Sequence, residues 1–268
     1  MPSINSNITD KSIYLPDYTL MKIASLSLLI GSLCVSSVVF ADDEIHPTLT
    51  IGADYSVDFQ PYKGGKSYQQ SILPTIFFDN KKIYAEGDEA GVYLLNDEKN
   101  QLRLNAYYDG TYYSPSGELS QLDQRKWSVM AGASYMRTTP YGALKAQIGT
   151  DVLARSKGTV ATVSYLAEIK KDAWSFYPEM GLQWNDANYN QYYYGVSSAE
   201  STRTGIQAYQ PSQSIHPYAN LTANYQISKH WNAFAEMEFN YLSKQQSNSP
   251  MIEKHTDFSP SIGFDYKF

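Results

Sequence analysis

From Pro47 onward the chain alternates apolar and polar residues with a period of two, the pattern of a strand whose faces meet different surroundings. The last segment shows it most clearly. Phe258, Pro260, Ile262, Phe264, Tyr266 and Phe268 fall on one face, and Ser259, Ser261, Gly263, Asp265 and Lys267 on the other. The same alternation runs through 217–227, 231–241, Leu49–Phe59, Leu102–Tyr108, Trp127–Tyr135, Leu144–Val152 and Phe176–Trp184. No comparable stretch carries helical periodicity or helix caps, so the predicted class is all-β. Runs of about 9–11 residues suit a tilted strand crossing a bilayer, whereas soluble strands cluster near five or six. Aromatics sit at the run ends (Tyr55, Phe59, Trp127, Tyr135, Trp184, Tyr225, Trp231 and Tyr241), as in the two girdles of a membrane barrel. The pattern therefore predicts a transmembrane antiparallel β-barrel rather than a secreted sandwich.

The connections sharpen that expectation. Short turns at Asp79–Lys82, Asn96–Gln101, Thr138–Gly142, Lys171–Ala173 and Ser228–His230 alternate with long segments at Gln60–Gln70, Gly110–Gln124, Asp186–Ser214 and Ser243–Asp257. In bacterial barrels short turns face the periplasm, long loops face outward, and the strand count is even. An even count requires that Ile83–Leu95 be split at Glu86–Ala90 into two short strands, which predicts twelve strands. Ten is the alternative if that segment is left whole.

Composition changes the picture in three ways. The 268 residues carry 27 acidic against 21 basic side chains, a net charge of −6, so the basic stripe of a nucleic-acid binder is missing. A mean hydropathy of −0.42 excludes a polytopic helical membrane protein but not a barrel, in which only alternate residues meet lipid. The single Cys34 excludes a disulfide framework and a Cys-built metal cluster. Met21-Lys22, the apolar run Ile23–Phe40 and Val39-Phe40-Ala41 read as a signal peptide over 21–41, cleaved after Ala41. Leu33 before Cys34 argues against lipidation. Residues 1–20 read as an over-extended start, which leaves 42–268 as an exported barrel beginning with Asp42-Asp43-Glu44.

Candidate chemistry is sparse. His46, His216, His230 and His255 are dispersed, and only His216, His255 and Asp257 are placed to share an outer rim. No pair has metal-ligand spacing and no calcium loop occurs. No catalytic residue, metal or cofactor is assigned. Asp54, Asp58, Arg103, Asp109, Lys145, Asp151, Glu168, Glu179, Glu236, Glu238, Asp265 and Lys267 fall on inward faces. They either line a cation-preferring lumen or cross-pair and fill it. In the 186–214 loop, Tyr189, Tyr192, Tyr193 and Tyr194 are read as an exposed cluster. With Arg203 and Tyr209 they form the candidate partner-binding surface, since rigid aromatics and Arg suit interfaces. The alternative is that they fold the loop at the barrel mouth.

The order Tyr189, Tyr193-Tyr194-Gly195-Val196-Ser197, Glu200, Arg203, Gly205, Tyr209, Pro211 resembles the MipA/OmpV family of Gram-negative outer-membrane proteins. Ser249-Pro250-Met251-Ile252 and Pro61-Tyr62-Lys63-Gly64-Gly65 are similar to two further family segments. The terminal Tyr266-Lys267-Phe268 looks like the signal read by the barrel assembly machinery. The resemblance implies a non-enzymatic barrel in contact with outer-membrane lipid, serving as a scaffold between a murein transglycosylase and a murein synthase. A surface adhesin or a porin-like channel is the alternative. The short periplasmic turns suit the scaffold role less well than the long outward loops suit adhesion.

Overall fold

The computed structural model describes residues 47–64 and 68–268. The signal segment, its Ala41 cleavage site and the acidic Asp42–Glu44 start lie outside the described residues. Thirteen β-segments follow in order: β1 Thr48–Asp58, β2 Gln69–Asp79, β3 Ile83–Glu86, β4 Glu89–Asn96, β5 Asn100–Asp109, β6 Ser128–Thr139, β7 Gly142–Asp151, β8 Thr159–Leu166, β9 Ile169–Lys171, β10 Trp174–Asn185, β11 Ser214–Gln226, β12 Trp231–Tyr241 and β13 Thr256–Lys267. Both β8 and β9 pair with β10 and are two parts of one wall strand interrupted at Ala167-Glu168. The wall therefore has twelve strands, each antiparallel to its neighbours.

It closes because β1 pairs with β13, from Thr50 opposite Lys267 to Ser56 opposite Ser261. A bilayer offers no water to an open sheet edge, so closure is what allows such strands to span it. The predicted split of 83–95 is present, with β3 and β4 joined at Gly87-Asp88 and Glu86 opposite Glu89. The five predicted short turns all lie at one end. Two of them are built by side chains that cap their own turn. Asn80 Oδ1 accepts the N–H groups of Lys82 and Ile83, and Asp97 Oδ1 accepts those of Lys99 and Asn100.

Alternation sorts the faces as expected. Ile72, Leu104, Ile148, Val163, Met180, Leu182, Ile262 and Phe264 stand exposed on the outside, which in a bilayer is the lipid side. Among the inward assignments, Glu168 is corrected by its place in the break between β8 and β9, exposed and paired to Lys170 at 2.8 Å. At the periplasmic rim Tyr266 packs edge-on against Trp231 and Phe268, and the Phe268 N–H donates to Leu49 O at 3.0 Å.

Inside the barrel, small residues make room for large ones. Tyr107 lies over Gly149, where a Cβ would stand 2.7 Å from its hydroxyl and 2.9 Å from its ring. Tyr218 covers Gly181 in the same way, with its ring 2.7 Å from where a Cβ would be. Replacing Gly149 by Val should displace Tyr107 and cost about 1–3 kcal/mol, the usual penalty of overpacking. A lowered temperature for the gel shift of the folded band would show this, and an unchanged temperature would contradict the packing.

Candidate functional site

The apolar core of this protein lies over the barrel mouth, in the outward loops. Tyr62, Tyr113, Leu119, Leu122, Met130, Val160, Tyr189, Tyr193, Tyr194, Val196, Leu242, Met251 and Ile252 form one buried cluster. Backbone bridges tie the loops to one another. Tyr62 pairs with Ile252, Tyr113 with Arg125, and Val196 with Tyr209. The result is a folded cap drawn from four loops.

Three short helices, absent from the sequence expectation, organise it: α1 Ala187–Tyr194, α2 Ser198–Thr204 and α3 Lys244–Ser247. Their signals were local. Asp186 caps α1 by accepting the Tyr189 N–H at 2.8 Å. Ser197 and Glu200 form a capping box on α2, as Ser243 and Gln246 do on α3. The Ser-x-x-Glu and Ser-x-x-Gln spacings mark helix starts, yet helices this short leave no periodicity to detect. Gly205, with φ of 73°, ends α2 in the left-handed conformation that favours glycine.

The tyrosines expected as an exposed cluster are mostly interior. Tyr189, Tyr193 and Tyr194 are 4%, 0% and 8% exposed, and only Tyr192 is partly open. The reason is the α1 turn, which places 189, 193 and 194 toward the cap core. Their hydroxyls are used structurally. Tyr193 donates to Lys126 O at 3.1 Å, Tyr189 shares a 2.9 Å hydrogen bond with Thr111, and Tyr192 accepts the Lys126 N–H at 2.9 Å. Burial pushes the phenols of Tyr62, Tyr189, Tyr193 and Tyr194 well up, so they remain protonated donors. Tyr209 donates to Gln245 O at 2.9 Å. Arg203 pairs with Asp123 at 2.8 Å and donates to Gln121 O, which fastens α2 to the 110–127 loop.

Sequence reading missed the pair at the centre of the cap. Arg125 Nη2 stands 2.7 Å from Glu200 Oε1, with both side chains almost fully buried. Arg125 also donates to Gly195 O and Asp123 O. Glu200 accepts from the Asp123 N–H through Oε1, and from the Ser197 N–H and hydroxyl through Oε2. Burial alone would raise this carboxyl. The Ser197 N–H, the Arg125 side chain and the Asp123 N–H outweigh it and hold the group at about 2.

Beneath the cap the lumen has two unlike halves. On the β3–β7 side, Glu89 accepts from Tyr84 at 2.5 Å, Gln147 at 2.9 Å and Asn105 at 3.0 Å, and Lys145 stands 3.7 Å away. Arg103 meets Glu86 at 2.9 Å and lies over the Tyr84 and Tyr93 rings. On the opposite side Glu236 and Glu238 are held by Asn220 and Asn240, and Glu179 by Tyr218. No ion pair with Lys or Arg joins Glu236, Glu238 or Asp257 among the described residues. The filled-lumen reading thus fits one half and the acid-lined reading the other. Asp151, expected on the lumen wall, instead folds the 152–158 loop. It accepts from the Leu153, Ser156 and Lys157 N–H groups and from the Ser128 hydroxyl.

His216 is buried on β11, and no hydrogen bond joins it to His255 or Asp257. No cluster of three potential metal ligands occurs among the described residues.

Two outcomes follow from the buried pair. Arg125→Met should cost the cap about 3–5 kcal/mol, because it leaves the Glu200 charge buried without its partner. A carboxyl held below its ordinary value stabilises the fold above the unfolded value near 4.5 and loses that contribution as pH falls through about 2. The span corresponds to about 3 kcal/mol. Protection factors across 195–205, taken relative to the intrinsic exchange rate at each pH, should therefore fall between pH 4.5 and 2 in the parent protein and show no such step in Glu200→Gln. Flat protection in the parent would contradict this role for Glu200.

The family model for MltA-interacting protein MipA matches residues 41–268. The MltA-interacting protein of Escherichia coli (strain K12) is 32% identical, over 93% of this chain and 100% of that protein. The putative outer membrane protein YiaT of the same strain is 31% identical, over 82% of this chain and 91% of its own length. Among solved structures, the COG4313 outer membrane channel from Pseudomonas putida F1 aligns with a TM-score of 0.45 and 10% identity, covering 87% of this chain and 100% of that chain. The chain is a member of the MipA family and a barrel of the outer membrane.

Proposed function

We propose that this barrel is a non-enzymatic scaffold of the outer membrane, linked to murein synthesis and turnover through a transglycosylase or synthase partner. The observation that carries the reading is the family match over the whole barrel, together with a relative whose name records interaction with MltA. The geometry supports it in one respect. A cap with a packed apolar core is built from the outward loops, which suits a platform better than a freely conducting pore.

The periplasmic face would meet such a partner. Its turns expose Lys81, Lys99, Lys171 and Lys229 but are each only a few residues long. A stable interface buries about 800 Å² per partner, so several turns must act together. Crosslinking in the periplasm followed by identification of captured proteins tests the reading. Recovery of a murein transglycosylase or synthase is expected. Recovery of neither, with steady cation-selective conductance in planar bilayers, would establish the channel reading in its place.

The barrel assembly machinery is a second proposed partner, read through Tyr266 and Phe268. Phe268 is 70% exposed at the end of the closing strand, where its ring meets Tyr266 edge-on. Deleting it should lower outer-membrane levels severalfold without altering the gel shift of the protein that does insert. Normal levels after deletion would remove the assembly role.

A further inference from the structure

The wall is not of even height. β2 pairs with β1 along its whole length, Gln69–Asp79, but with β3 only from Phe77 to Asp79. The β3–β4 turn stops there, with the Gly87 N–H donating to Ile76 O and the Tyr108 N–H to Asp88 O. Above the turn two neighbouring strands are missing from the wall. At ~4.8 Å per strand and ~3.3 Å per residue, the notch is on the order of 10 Å wide, and its β2 edge from Gln70 to Ile76 is on the order of 20 Å long. Phe59, Tyr68 and Trp127 mark the outer interface near the tops of the flanking strands. The notch therefore opens below that interface, into the outer leaflet. It is roofed from above, where Gln60 Nε2 donates to Tyr112 O and the Ser116 hydroxyl to Gly64 O.

The edge facing the notch has a definite chemistry. Ile76 turns its carbonyl toward β3, and antiparallel pairing repeats that direction at Pro74, Ile72 and Gln70. Pro74 has no N–H to leave unpaired, which is where proline is tolerated in a sheet. The edge consequently offers more carbonyl acceptors than N–H donors. Such an edge is tolerated at membrane depth only where it lines a cavity reached by water. Behind it, Asp88 on the turn and Glu238 on β12 are both accessible although neither faces lipid.

We infer that this notch is a lateral portal between the outer leaflet and the acid-lined half of the lumen, and that it binds a cationic amphiphile. The apolar body of the ligand lies in the leaflet beside Ile72, and its ammonium passes the carbonyl edge to reach Asp88 and Glu238. A donor-rich positive head matches both the surplus of acceptors and the charge behind it. An anionic or purely apolar molecule matches neither.

The test uses the mature barrel in phosphatidylcholine nanodiscs, with dansyl-labelled dodecylammonium as the probe and its uncharged N-acetyl form as the control. Saturable binding of the cation above its partition into protein-free discs is expected, with the neutral form at least tenfold weaker. Asp88→Asn combined with Glu238→Gln should weaken the cation at least tenfold. Lengthening β3 and β4 by two residues each at Gly87-Asp88 should abolish binding. If that variant fails to give a heat-shifted band, the charge variant decides. Equal binding of the neutral form, or parent affinity in the charge variant, overturns the proposal. A nitroxide at Gly87→Cys should be reached by both lipid-dissolved oxygen and an aqueous nickel chelate, and protection from either one contradicts the portal. None of these readouts depends on a murein partner.

Discussion

A bilayer leaves no solvent to satisfy backbone N–H and C=O groups, and nearly every feature of this chain follows from meeting that demand with strands. Antiparallel pairing from β1 around to β13 leaves no free edge along most of the wall. The register of the closing pair, Ser56 opposite Ser261 and Thr50 opposite Lys267, puts the small and polar residues of both strands inside and Ile51, Tyr55, Ile262 and Phe264 outside. A slip of one residue would reverse both faces at once, placing Asp54 and Asp265 in lipid. Register, closure and side-chain pattern are thus one constraint seen three ways.

With the apolar side chains of the strands turned to lipid, the barrel has no interior core of the ordinary kind. Its lumen is held by hydrogen bonds centred on Glu89 and by aromatics seated over glycine. The apolar core has moved to the outward loops, where water is present and burial is favourable again. That displacement explains how a cap of four loops can be specific without long helices. Met251, Val196 and Tyr193 supply the buried apolar surface, and the Arg125–Glu200 pair fixes how the 110–127 loop meets α2. The pair is worth little for stability compared with an apolar substitute of the same shape. Its value lies in geometry, since Glu200 satisfies four donors that no apolar side chain could.

The barrel was legible in the sequence because period-two alternation is a property of each strand alone. Even the least obvious element, the split of 83–95 into β3 and β4, followed from the need for an even count. The cap was not legible in the same way. Tyr189, Tyr193 and Tyr194 read as surface residues because a tyrosine-rich loop looks the same whether its rings pack on water or on another loop. What buries them is Tyr62 and Tyr113, more than 70 residues earlier, and no local pattern records so distant a contact. The capping boxes at Ser197 and Ser243 were readable in principle, but periodicity over eight residues or fewer carries no signal. Arg125 and Glu200 lie 75 positions apart and share no motif.

The placement of charge connects the cap to the wall beneath it. Arg103 and Lys145 are both engaged on the side where β3 and β4 are short, and among the described residues Glu236, Glu238 and Asp257 on β12 and β13 have no ion pair with Lys or Arg. A barrel filled only for stability would distribute its bases around the lumen, because unpaired carboxylates near one another raise the free energy of the folded state. The asymmetry is therefore a cost, and it lies at the level where the wall is also lowest. Two departures from an ideal barrel, a shortened hairpin and an uncompensated acidic face, meet across one lumen. Residues that break local rules without a stabilising return concentrate where a protein interacts with something else. On that argument the MipA-type barrel keeps its stability in the β1–β13 closure and the cap, and the proposed portal lies between them.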